Sequence, residues 1–247
     1  MGIIYPSAEP DTTRGPGSIP GHAALAVDIH ADEEQLAVRR SIMLVAKHRF
    51  ARVGYDGTSL AEIARCADVP LAELMRHFDD KLILLQAVFD EGWTSINLRL
   101  EDIVITSLTA QNAALSMLAV MTRILERDED LARLLLFEGR RPNPGSGEIK
   151  LSKGYRRFFD ICTELISRGQ KDGSFKNVYH PRVIASMLIG TVESLLRDRM
   201  IAEQDNGYTP YSGSQLIAAF DALITSLKPE QRQETSSVTT GRKAGAV

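Results

Sequence analysis

The stretch TSLAEIARCADVPLAELMRHF, Thr58 to Phe78, decides how this chain folds. Ser59 and Glu62 stand at the S-x-x-E spacing of a capping box, in which a hydroxyl and a carboxylate satisfy the free amides of a helix start. Leu60, Ile63, Ala64 and Ala67 then share one face at helical spacing, and Asp68 follows as a residue type that accepts a turn. Val69 is placed to plug the corner. Pro70 has no amide proton and suits a first helical position, so a second helix starts there with Leu74 and Phe78 four residues apart on its inner face. Leu71, Ala72, Glu73, Met75 and Arg76 are left facing outward. Two short helices across a tight turn make a helix-turn-helix, whose commonest use is to set the second helix in the major groove of DNA.

Upstream, Ile42, Val45, Ala46, Phe50 and Val53 repeat at the spacing of an amphipathic helix from Arg39 to Val53, and Gly54 and Gly57 bracket its exit. A three-helix unit of about fifty residues is small for an independent core, so it is expected to lean on the rest of the chain.

These residues resemble the tetracycline-repressor-like (TetR) family of transcriptional regulators. RSIMLVAKHRFARVGYDGTSLAEIA is similar to the first two helices of that family, with the Gly-aromatic pair before the turn and the Thr-Ser helix start. DVPLAELMRHFDDKLILLQAVFD is similar to its turn, recognition helix and the link that opens a fourth helix. The resemblance covers Arg39 to Glu91. It implies an all-α protein, with an N-terminal helix-turn-helix domain joined to a larger helical domain that binds ligand and dimerises. It further implies double-stranded DNA as partner, contacted by Thr58 and Ser59 at the second helix start, Leu71, Ala72, Met75, Arg76 and His77 on the recognition helix, and Lys81 at the fourth helix start. Thr58 fits a cap as well as a phosphate contact, and His77 fits packing as well as donation. Four positions depart from the family pattern: Asp68 where Gly is usual, Pro70 where a Ser or Thr cap is usual, Glu73 where a small or hydroxyl residue is common, and Met75 where Tyr is common.

The charge balance neither forces nor forbids DNA binding. The 247 residues carry 29 basic and 32 acidic side chains, for a net charge of −3. From Arg39 to Lys81 there are eight Lys or Arg (39, 40, 47, 49, 52, 65, 76, 81) against six acids (56, 62, 68, 73, 79, 80). So weak a positive field gives modest, salt-sensitive binding that a dimer would have to double.

A hydrophobic content of 44% can bury a sizeable interior. No apolar run approaches the ~18 residues of a membrane span and no charged-then-apolar leader opens the chain, so a cytoplasmic protein is expected. Cys66 and Cys162 lack a short spacing and are expected to be buried thiols. The five histidines share no metal-ligand spacing, and no Gly-rich phosphate loop or nucleophile elbow is present, so neither catalysis, cofactor nor metal is expected.

The composition divides the chain into an extension over 1–31, expected to be disordered and broken by Pro6, Pro10, Pro16 and Pro20, the helix-turn-helix domain over 32–90, a helical domain over 91–227 and a polar tail over 228–247, also expected to be disordered. Within the third segment, helices are expected along Leu82–Val104, Ala113–Leu125, Leu131–Phe137, Ile149–Ser167, Pro181–Ala202 and Ser214–Leu227, with GRRPNPGSG as a break. Trp93, Ile96, Leu100, Met117, Met121, Phe137, Phe158, Cys162 and Met187, with Leu165, are the apolar positions on helices that surround the ligand pocket in the resembled family, and their bias favours an apolar or aromatic effector. Ser186, Gly190 and Ser194 recur every four residues, a stripe that lets helices approach closely. Leu216, Phe220 and Leu223 form a seam on the last helix. The resemblance assigns both helices to a two-fold interface, while packing within one chain accounts equally for the stripe alone. The expected function is a dimeric regulator, a repressor released from a palindromic operator by its effector. The competing reading is a helical ligand-binding protein of the same fold without DNA binding of its own.

Overall fold

The computed structural model of this chain describes residues 21–138, 151–202 and 211–229. They form nine α-helices and, among the described residues, no strand: α1 Gly21–Arg52, α2 Leu60–Cys66, α3 Leu71–His77, α4 Lys81–Thr106, α5 Ala110–Arg127, α6 Glu129–Phe137, α7 Lys153–Lys171, α8 Pro181–Ala202 and α9 Gly213–Ser226. The starts of α4, α5, α6, α7 and α9 are fixed by side-chain caps from Asp80, Thr109, Asp128, Ser152 and Ser212, each accepting a hydrogen bond from the first turn.

The expected extension over 1–31 is corrected at its end, because α1 already begins at Gly21. The four prolines behind that expectation all precede the helix, and residues 22–31 hold neither Pro nor Gly to oppose it. Residues 1–20, 139–150, 203–210 and 230–247 lie outside the described residues. Pro70 is also shifted by one place. It acts as the N-cap of α3, with φ −59° and ψ 142°, and its carbonyl accepts from the amides of Glu73 and Leu74. Cys66 is exposed rather than buried, at the last position of α2.

Two apolar clusters organise the packing. Ile42, Met43, Ala46, Phe50, Ile63, Ala64, Leu74, Phe78, Leu84 and Val88 form the smaller one, around the helix-turn-helix, and Leu134 of α6 inserts into it. The larger one runs from Trp93 on α4 to Ile224 on α9. Helix α4 crosses from the first to the second, and Phe89 packs against both. Gly154 on α7 permits a close approach in the larger core: a Cβ there would collide with Cβ of Trp93. Its amide donates to Asp90 and its carbonyl accepts from Asn97, which pins α7 to α4.

Candidate nucleic-acid interface and apolar cavity

Local chemistry shapes the exposed face of the helix-turn-helix. The Ser59–Glu62 capping box is formed in both directions, which starts α2. Asp68 takes a left-handed φ of 56°, the conformation where glycine is favoured, and so turns the chain toward α3. Leu74 and Phe78 are 0% and 1% exposed. The other side of α3 presents Leu71, Ala72, Met75 and Arg76 to solvent. Arg76 pairs with Glu73 one turn earlier, so the acid on this helix is engaged by its own neighbour.

Three of the expected DNA contacts are turned toward partners within the chain. Thr58 is 2% exposed, and its hydroxyl donates to the carbonyl of Gly54 at 2.8 Å, closing the exit of α1. Lys81 turns inward: Nζ donates to the carbonyls of Tyr55 and Thr58 at 2.8 and 2.9 Å and sits 4.2 Å from the centre of the Tyr55 ring. His77 is largely buried, and burial, with the charges of Arg39 and Arg76, pushes its imidazole below the ordinary value. Ser59 has its side chain taken up by the capping box. Lys81→Met is accordingly expected to cost about 1–3 kcal/mol of stability, because the Thr58 carbonyl loses its donor and the Tyr55 carbonyl keeps only the Thr58 amide at 3.3 Å. Thermal melting should show that loss while the salt slope of DNA binding stays put; a slope lowered by about one would instead make Lys81 a phosphate contact.

Helices α4 to α9 enclose a cavity of about 90 Å³ whose wall is almost wholly apolar. Trp93, Met117, Met121, Phe158, Cys162 and Leu165 line it, as do Leu135 and Leu136 of α6, Leu188 and Ile189 of α8 and Phe220 of α9. Trp93 stacks on Phe158 with ring centres 4.8 Å apart and meets Tyr155 edge-on. Burial pushes the Cys162 thiol up to about 12, so it serves as an inert apolar wall. The polar group in the lining is Glu193, whose carboxylate accepts the Tyr155 hydroxyl at 3.2 Å. Burial first, then the charge of Glu193, holds that phenol well above its ordinary value, so it stays protonated.

Several expected cavity and interface residues lie elsewhere. Ile96 and Leu100 are fully buried but pack in the core clear of the cavity wall. Met187 is 60% exposed and faces outward, next to Ser186 in the chain and one turn from Gly190. The side chain of Phe137 lies outside the described residues. Leu216 and Phe220, expected at a two-fold interface, face inward because the bulky side of α9 packs against the core, leaving Ala218, Ala219 and Ala222 on its outer side. Leu223 is half-buried against the same core. Ser186, Gly190 and Ser194 are exposed on α8, and a Cβ at Gly190 would meet nothing within 4 Å.

An ionic clasp between α1 and the start of α6 escaped the sequence reading. Lys47 reaches Asp128 at 2.6 Å, His48 meets Asp130 at 2.8 Å, and Arg52 donates to both Asp130 and Glu129 at 2.7 Å. Burial alone would raise the Asp130 carboxyl, but hydrogen bonds from His48 and Arg52 outweigh it and hold it below its ordinary value. The run of acids at 128–130 was the visible signal, although its partners lie some eighty residues earlier. Among the described residues, no group of three or more His, Cys, Asp or Glu could hold a metal ion, and no helix is long and apolar enough to cross a membrane.

Residues 42–88 match the family model for bacterial regulatory proteins of the tetR family. The fatty acid metabolism regulator protein of Bacillus subtilis (strain 168) is 22% identical over 166 residues, covering 67% of this chain and 85% of that protein. The crystal structure of the transcriptional regulator FadR from Bacillus subtilis, in complex with stearoyl-CoA, superposes with a TM-score of 0.68 at 21% identity over 76% of this chain and 97% of that one. The fatty acid degradation regulator FadR from Bacillus halodurans gives a TM-score of 0.67 at 18% identity, over 75% and 97% of the two chains.

Proposed function

We propose, from the match of residues 42–88 to the tetR family model, that this chain is a ligand-responsive DNA-binding regulator of that family, a repressor whose effector carries an acyl or other apolar group. Residues 32–90 are the DNA-binding domain and residues 91–227 the effector-binding and dimerisation domain. The observation that carries the reading is the position of α6. Leu135 and Leu136 line the apolar cavity, while Leu134 sits in the core of the helix-turn-helix unit. A molecule that fills the cavity thus acts on a helix shared with the DNA-reading module. The acyl preference is supported by the apolar lining and by the relatives, one named for fatty acid metabolism and one bound to stearoyl-CoA.

The direct test is a gel-shift with the protein's own upstream DNA, repeated with a graded series of acyl compounds and aromatic compounds. Salt-sensitive binding that such compounds release supports the reading. A second reading, a ligand-binding protein without DNA binding of its own, is favoured by Glu73, which engages the exposed Arg76 of α3. Ligand-induced stabilisation with no DNA binding at low salt would select it.

Assembly as a two-fold dimer through α8 and α9 is part of the same proposal. Ser186, Gly190 and Ser194 form a shallow exposed stripe, flanked by Val183 and Met187 at 50% and 60% exposure. Because a two-fold contact meets itself, one substitution acts twice. Gly190→Arg has room within a single chain, so it is expected to yield folded monomers by sedimentation. An unchanged dimer, or a monomeric parent protein, removes this interface.

A further inference from the structure

The apolar cavity shares part of its wall with a second hollow. Leu125, Leu136 and Leu196 border the cavity and also a groove of about 350 Å³ between α5, α6 and α8. The chemistry of the groove is different, because Thr122, Glu126, Glu129 and Arg199 join the leucines in its lining. Arg199 donates to Glu126 at 2.8 Å, and Glu129 holds Arg52 of α1 at 2.7 Å.

Thr122 is the informative residue. Helical threonines commonly satisfy their hydroxyl on the carbonyl one turn back, as Thr94, Thr106, Thr163 and Thr191 do in this chain. Thr122 is 5% exposed, yet its hydroxyl has no hydrogen-bond partner. A buried hydroxyl in that state costs stability until something takes up its bond. Size adds a second constraint. At about 90 Å³ the cavity is smaller than the ~150 Å³ void that admits benzene, so a long chain cannot lie in it without continuing elsewhere.

We propose that the groove is the head-group subsite of the effector site. The effector is an amphiphile whose chain passes between Leu125, Leu136 and Leu196 into the cavity and whose neutral carbonyl, as in an ester, thioester, lactone or amide, accepts a hydrogen bond from Thr122. This assignment rests on the effector reading above. A free carboxylate fits poorly, because the cations around the groove are already taken: Arg199 by Glu126, and Arg52 and Arg133 by Glu129. The head also comes to rest beside Glu129, one of the acids that clasp α1.

The test uses the full chain and calorimetric titration with methyl decanoate and with decanoate. The ester is expected to bind at least about tenfold more tightly than the acid. Thr122→Val should weaken the ester about 3- to 10-fold, the range of one hydrogen bond, and leave the acid little changed. The same substitution should raise the melting temperature of the unliganded protein by about 2–4 °C, since it deletes an unpaired hydroxyl. Leu196→Trp, which fills the passage, should abolish binding of both compounds. Should Thr122→Val leave the ester affinity intact, or the acid bind as tightly as the ester, the subsite falls while the apolar cavity stands. If neither compound binds the parent protein, the subsite and the effector reading fall together.

Discussion

Alanine at Trp93 should lower the unfolding free energy by about 3–5 kcal/mol, the range for emptying a buried aromatic site. The indole is 3% exposed, stacks on Phe158 and meets Tyr155 edge-on. Its Nε1 donates to Glu138 at 2.6 Å, and the other oxygen of Glu138 accepts the Ser152 amide that begins α7. Truncation therefore removes packing and also loosens the carboxylate that joins the ends of α6 and α7. For a chain of this length the loss corresponds to a fall in melting temperature on the order of 10 °C. Trp93→Phe keeps the stack and deletes only the hydrogen bond, so it should lie much nearer the parent. Because Trp93 is also a wall of the cavity, alanine enlarges it by most of an indole. Free indole should then raise the melting temperature of Trp93→Ala by mass action and leave the parent unaffected. A Trp93→Ala protein that melts within ~2 °C of the parent would mean the aromatic cluster contributes little to the larger domain.

The helix-turn-helix was legible in the sequence because its determinants are local. A capping box, an apolar period and a turn residue each reside within a few consecutive positions, and Ser59, Glu62, Asp68, Leu74 and Phe78 stand as their spacing implied. The inward bonds of Lys81 were not legible for the opposite reason: its ammonium reaches carbonyls 23 and 26 residues earlier, which no local pattern announces. Helical period also tells which side of α4 is buried but not which buried residue borders a void. Trp93 and Leu100 share that side, and only Trp93 reaches the cavity. On α9 the seam of Leu216 and Phe220 was visible, yet a helix with bulky and small faces can bury either. Here the bulky face went to the larger core, where it removes more apolar area from water, and the alanines were left outside.

Leu134→Ala should separate the two binding events that α6 joins. Leu134 is 8% exposed and packs within the core of the DNA-binding unit, while its neighbours Leu135 and Leu136 line the cavity. The clasp of Lys47, His48 and Arg52 on Asp128, Glu129 and Asp130 ties the same helix to α1, but its groups are partly exposed and such pairs are worth ~0–1 kcal/mol each. The leucine dominates, since removing a buried leucine costs about 2–5 kcal/mol, and much of that is the rigid contact through which a shift of α6 would move the helix-turn-helix. Effector binding measured without DNA, and DNA binding measured without effector, should each stay near the parent values in Leu134→Ala. The factor by which effector weakens DNA binding, typically about 5- to 150-fold in coupled systems, should fall toward one. Anisotropy titrations of the upstream DNA at zero and saturating effector measure that factor, and linkage requires the same factor when effector is titrated at saturating DNA. Asp130→Asn, which weakens the clasp alone, should change it little. Full coupling in a folded Leu134→Ala protein would transfer the connection from α6 to α4, the helix that passes unbroken from one core to the other.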